Sequence, residues 1–77
     1  MRVRYQDLSG NSGIREYESG PDFIRLWFVD GSCYEYDGFA PGGRHVAEMK
    51  RLAQAGRGLA SYINRQVREN FARKLGN

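Results

Sequence analysis

Apolar positions follow two regimes along this chain. Between residues 14 and 37 they alternate with polar ones or gather into short β-branched and aromatic runs, and from residue 46 they recur every three or four positions. Ile14-Arg15-Glu16-Tyr17-Glu18 predicts a modest strand. Residues 23–29, from Phe23 through Ile24, Leu26, Trp27 and Phe28 to Val29, predict the strongest one, since branched and aromatic side chains fit a pleated, half-buried surface. Ser19-Gly20-Pro21-Asp22 reads as a turn, Asp30-Gly31 as a second, and residues 32–37 as the returning strand that Gly38 ends. A short strand is expected at 2–5 and a flexible loop at 9–13, so residues 1–11 are a flexible lead or a short extra strand.

The register of the second hairpin follows from what each loop would bury. A two-residue Asp30-Gly31 loop pairs Val29 with Ser32 and puts Glu35 and Asp37 on the face of Ile24, Leu26 and Phe28. A three-residue loop, Val29-Asp30-Gly31, has Gly31 in the left-handed bulge position. It pairs Leu26 with Tyr34 and Ile24 with Tyr36, and Arg25 meets Glu35 on the other face. Burying two carboxylates opposes folding far more than any turn preference favours it, so the three-residue loop is expected.

Residues 43–55 predict a helix with Val46, Met49, Leu52 and Ala53 along one side, and Gly56 is a natural left-handed terminator. Gly58 permits a second bend. Leu59, Ile63, Val67, Phe71 and Leu75, four apart, predict a longer helix from about 59 to 75. The expected fold is therefore α+β: an antiparallel β-meander of about three strands followed by two α-helices packed on one sheet face, in a single domain over 1–77.

A chain of 77 residues supports one core and a net stability of roughly 3–5 kcal/mol, with few apolar side chains to spare for a deep substrate pocket. Its lone cysteine, Cys33, excludes an internal disulfide and, with no apolar run after the basic N-terminal residues, suits a cytoplasmic protein. No stretch reaches the apolar length of a membrane span. Charge is unevenly divided: residues 1–40 carry four basic against seven acidic side chains, a net of −3, and residues 41–77 carry eight against two, a net of +6. A basic helical half points to an anionic partner; the same charges also suit an ordinary solvated helix surface.

Phe28-Val29-Asp30-Gly31-Ser32-Cys33-Tyr34-Glu35-Tyr36 resembles the central F-x-[DN]-G-x-x-Y-x-Y pattern of the KTSC domain, named for the C-terminus of some lysyl-tRNA synthetases. Ser12-Gly13-Ile14-Arg15-Glu16-Tyr17 is similar to that family's opening, and Ala55-Gly56-Arg57-Gly58 with Tyr62-Ile63-Asn64 to its glycine stretch and the segment after it. The likeness covers roughly residues 12–70 and makes Gly31, Tyr34 and Tyr36 the family-motif positions. It departs after the second tyrosine, where Phe39-Ala40-Pro41-Gly42-Gly43 replaces the family's Val-Pro-type segment. The resemblance implies a small domain, often free-standing in bacteria and phages, with RNA or tRNA as the suggested partner.

Candidate chemistry is sparse. Tyr34 and Tyr36 suit either base stacking or a core with hydroxyls at the rim. Trp27, on the opposite face beside Arg25, suits stacking or cover by another element. Arg57 between Gly56 and Gly58, ahead of a helix, suits an anion-binding loop or a plain helix–helix corner. Arg44, Lys50, Arg51, Arg65 and Arg68 suit a phosphate-contacting face. His45 lacks a second base or nucleophile, and Cys33 lacks co-ligands at metal spacing, so no catalytic residue, metal or cofactor is expected. Asp30 and Asp37 serve turns. The expected function is a non-enzymatic nucleic-acid-binding module using the helical face; the alternative is a protein-interaction or self-associating module using the sheet face around Trp27.

Overall fold

In the computed structural model, which describes residues 2–8, 10 and 12–76, the chain forms strands β1 (Val3–Arg4), β2 (Ile14–Ser19), β3 (Phe23–Phe28) and β4 (Cys33–Asp37), then helix α1 (Gly43–Ala55), helix α2 (Leu59–Tyr62) running into a π-helical turn (Ile63–Val67), and finally strand β5 (Arg73–Gly76). All five strands join one antiparallel sheet in the order β1-β2-β3-β4-β5. Of the expected 9–13 loop, Ser9 and Asn11 lie outside the described residues.

The three-residue hairpin loop is present as argued from burial. Ile24 pairs with Tyr36, Leu26 with Tyr34 and Arg25 with Glu35, and the Phe28 N–H donates to Ser32 O at 2.9 Å. Gly31 sits at φ 92°. The Asp30 carboxylate stabilises this turn by accepting from the Ser32 N–H and hydroxyl at 2.9 and 2.6 Å.

The core lies between one sheet face and the helices. Ile24, Leu26 and Tyr36 meet Val46, Met49 and Ala53 of α1, and Leu59, Ile63 and Val67 complete the far side. Tyr5 and Ile14 close one end. Phe28, Tyr34, Tyr36 and Phe71 form an aromatic cluster, with Tyr34 and Phe71 centroids 4.6 Å apart.

Two expectations are corrected. The sheet has five strands rather than a meander of about three, and the second helix stops at Val67 rather than continuing to Leu75. β1 is the short extra strand expected at 2–5, whereas β5 and the shortened helix have one cause. A spacing of four is a helical repeat, but it is also a multiple of the two-residue strand repeat, so Phe71 and Leu75 extend the helical stripe without requiring a helix. The helix ends where the Arg68 N–H donates to Ile63 O, five residues back, and Arg68 takes φ 53°, ψ −120°. The chain then returns to the open edge of β4. The Ala72 N–H donates to Glu35 O at 2.8 Å, and Arg73 pairs with Glu35. Backbone groups on β4 that would otherwise need water gain partners, and Phe71 is carried onto Tyr34 and Tyr36.

Candidate nucleic-acid interface

The sheet face away from the helices is a layer of ion pairs. Arg25 bridges Glu35 at 2.7 Å and Glu18 at 3.1 Å, and Arg73 reaches Glu35 from the other side at 3.2 Å. Glu35 is only 7% exposed; flanking guanidinium groups compensate the dehydration of its carboxylate. Arg2 pairs with Glu16 and lies over the Trp27 ring, 4.3 Å from its centroid. Trp27 does share Arg25's face, as the register requires, but one of its ring faces is occupied. Beside it Cys33 is buried, which pushes its thiol pKa up and away from reactivity.

The candidate cations of the helical half separate into two groups. Lys50 donates to the Gly20 and Pro21 carbonyls, tying α1 to the β2–β3 turn. Arg51 pairs with Glu48 one turn earlier, Nε to Oε1 3.0 Å. Arg44, Arg57, Arg65 and Arg68 are exposed, and among the described residues none forms an ion pair. Helical spacing puts Arg44 and Arg51 opposite the buried Val46, Met49 and Ala53. Arg65 and Ser61 likewise lie opposite Leu59 and Ile63. Arg68 lines an open depression with Asn64 and Glu69.

The Gly56-Arg57-Gly58 corner is built mainly for packing. Gly56 ends α1 at φ 80°, its N–H shared between Leu52 O and Ala53 O. Its carbonyl accepts from Leu8 N–H at 2.7 Å, which brings the N-terminal segment against the corner. The Leu59 N–H, one of the donors an anion would use, faces the Tyr5 hydroxyl at 3.4 Å. A Cβ on Gly56 would lie 2.6 Å from Gln6 Oε1 and 2.8 Å from its Cβ, whereas one on Gly58 meets only Leu52 Cδ2 at 3.4 Å. Gly56→Ala is therefore expected to destabilise by about 1–2 kcal/mol from the left-handed backbone plus a further increment from the clash. Gly58→Ala carries the backbone part alone. Urea titration of both variants checks the difference; equal losses would show that Gln6 moves aside freely.

The motif tyrosines are packing residues here. Tyr36 is 2% exposed, and Tyr34 is half-buried between Phe28 and Phe71 with Lys74 5.7 Å from its ring centre. His45 Nδ1 lies 2.7 Å from the Tyr62 hydroxyl, linking α1 to α2. Among the described residues no cluster of three or more His, Cys, Asp or Glu side chains is placed to hold a metal ion, and no helix is long and apolar enough to cross a membrane.

Sequence reasoning missed the ion-pair layer's extension to Arg73, because it assigned that residue to a helix. It also missed Phe39, which is 98% exposed in the β4–α1 loop; its neighbours Gly38, Ala40 and Pro41 signalled a turn but not a protruding ring. No family model matches the chain, and comparison with curated proteins and with solved structures finds no match.

Proposed function

We propose that this chain is a non-enzymatic, cytoplasmic RNA-binding module of KTSC type whose outward helical surface takes the phosphate backbone. The observation that carries this reading is the division of its cations. Arg2, Arg25 and Arg73 of the sheet face are engaged by carboxylates, whereas Arg44, Arg57, Arg65 and Arg68 of the helical half, like Arg4 and Arg15 of the strands, are exposed without ion pairs among the described residues. Unpaired guanidinium groups on a chain of net charge +3 favour an anionic polymer, because phosphates offer two-pronged acceptors and binding releases condensed counterions. Trp27 under Arg2 leaves the sheet face less apolar surface for self-association, which is why the helical surface is preferred. The KTSC assignment rests on the Phe28–Tyr36 motif and the Gly56–Gly58 corner.

The test is a titration of labelled tRNA or mixed RNA at several salt concentrations. With four phosphates engaged, affinity is expected to fall roughly 50-fold between about 50 and 200 mM salt. Arg65→Ala with Arg68→Ala should weaken binding and reduce the logarithmic salt slope by about 1.4. Absence of binding at about 50 mM salt, or binding indifferent to both salt and the double variant, would refute the reading.

A further inference from the structure

Among the described residues the most exposed large apolar side chain is Phe39, and its backbone is held rather than loose. The Asp37 carboxylate accepts from the Phe39 and Ala40 N–H groups at 2.9 and 3.0 Å. The Asp37 N–H donates to Ala40 O at 2.9 Å, and the Gly42 N–H donates to Asp37 O at 3.0 Å. This closed turn runs directly into α1, where the Val46 N–H donates to Gly42 O at 3.0 Å and Arg44 is exposed in the first turn. A phenyl ring is thus displayed on a fixed loop, open to solvent, with a cationic side chain five residues further on.

The ring stands alone. The other exposed large apolar side chains among the described residues are Val3, Leu8, Val29 and Leu75. Val29 lies in the turn before β4, at the opposite end of that strand, and Leu75 precedes the residue paired with Cys33 at that same far end. Val3 belongs to the strand at the other edge of the sheet, and Leu8 lies at the Gly56 corner, its N–H donating to the Gly56 carbonyl. A docking surface for a folded protein needs a continuous apolar patch of several hundred Å². A single ring with an accessible π-face is enough to stack on a base, and a nearby arginine can take the adjoining phosphate. Holding the backbone beforehand removes part of the ordering penalty such a contact would otherwise carry.

We infer that Phe39 is a stacking platform for an unpaired base and that, with Arg44, it makes single-stranded RNA the preferred ligand over duplex. This rests on the reading of the helical surface as an RNA-binding face and adds to it the class of RNA. Stacked bases in a duplex interior present no free π-face, so only looped or single-stranded segments satisfy the ring.

The experiment compares a labelled single-stranded oligoribonucleotide without secondary structure and a blunt RNA duplex of similar charge, titrated with the wild-type chain, Phe39→Ala, Phe39→Trp, and the Arg65→Ala/Arg68→Ala double variant. Phe39→Ala is expected to weaken single-strand binding roughly 5- to 150-fold, the worth of one base–aromatic stack, to leave duplex binding within about twofold, and to keep the salt slope. Phe39→Trp should retain or improve single-strand affinity. Because the side chain is almost wholly exposed, none of these changes should move the thermal midpoint. If Phe39→Ala changes neither ligand, or both equally, while the arginine variant weakens both, the stacking proposal fails and the phosphate-binding reading survives. Binding of neither RNA overturns both. If Phe39→Ala leaves RNA binding intact but abolishes self-association in sedimentation, the ring belongs to a protein contact and the inference is wrong.

Discussion

Leu26→Ala should leave this protein largely unfolded. Leu26 is fully buried at the centre of β3, paired with Tyr17 on β2 and Tyr34 on β4, in the cluster that α1 covers with Met49 and Val46. Truncating a buried leucine removes about 2–5 kcal/mol, the transfer energy of the lost atoms plus the penalty of an incompletely collapsed cavity. A domain of this size has roughly 3–5 kcal/mol in total, so the loss is comparable to the whole. The expected result is a urea midpoint near zero or a thermal midpoint lowered by more than about 10 °C, followed by circular dichroism. Val29→Ala, at an exposed position in the adjoining turn, should stay within about 0.5 kcal/mol of wild type. A Leu26→Ala loss below about 1 kcal/mol would mean that the core is assembled around other residues.

The second large effect is alkaline destabilisation through Tyr36. Burial pushes its phenol up to about 12, with Tyr34 and Cys33 adding to the shift. The folded state therefore keeps the proton at pH values where the unfolded chain, titrating near 10, has released it. Stability held by the neutral phenol is fully present below pH 10 and is lost as pH rises through 12. Between those limits the loss is about 1.4 kcal/mol for each pH unit, or about 3 kcal/mol in full. Denaturant unfolding at stepped pH from 9 to 12 should show wild type falling more steeply than Tyr36→Phe, and the difference between the curves isolates this residue from lysines and other tyrosines that titrate nearby. Parallel curves would place the phenol in contact with water. The same alkaline window bears on the RNA titrations, which belong well below it, where the fold is intact.

These two residues share a location that sequence reasoning reached correctly. Avoiding buried carboxylates required the Val29-Asp30-Gly31 loop, and that choice placed Leu26 and Tyr36 on the core face and Arg25 opposite Glu35. The bounds of α1, its apolar side and its termination at Gly56 were equally readable, since periodicity and a left-handed glycine are local signals.

For the candidate site, the arginine positions were readable from sequence, but their state was not. Lys50 and Arg51 look equivalent to Arg44 and Arg65 in a helical pattern. Only the packing shows that the β2–β3 turn brings the Gly20 and Pro21 carbonyls to Lys50, while Glu48 turns to Arg51. Phe39 is the opposite case: an aromatic side chain ordinarily expected to be buried, left in water because Asp37 holds its loop away from the core.

What the chain determined alone was therefore short-ranged: which segments pair as a hairpin and in what register, where the first helix starts and stops, and how its charge divides between the two halves. What the tertiary structure decided was long-ranged: that residues 73–76 become a fifth strand on β4, that Phe71 closes over Tyr34 and Tyr36, that the Tyr5 hydroxyl meets the Leu59 N–H, and which cations stand in ion pairs. The physical reason is that hydrophobic period and turn chemistry act over a few residues. A strand edge or a carboxylate in need of a partner draws on whichever part of the chain the finished fold brings beside it, and a four-residue spacing satisfies either outcome.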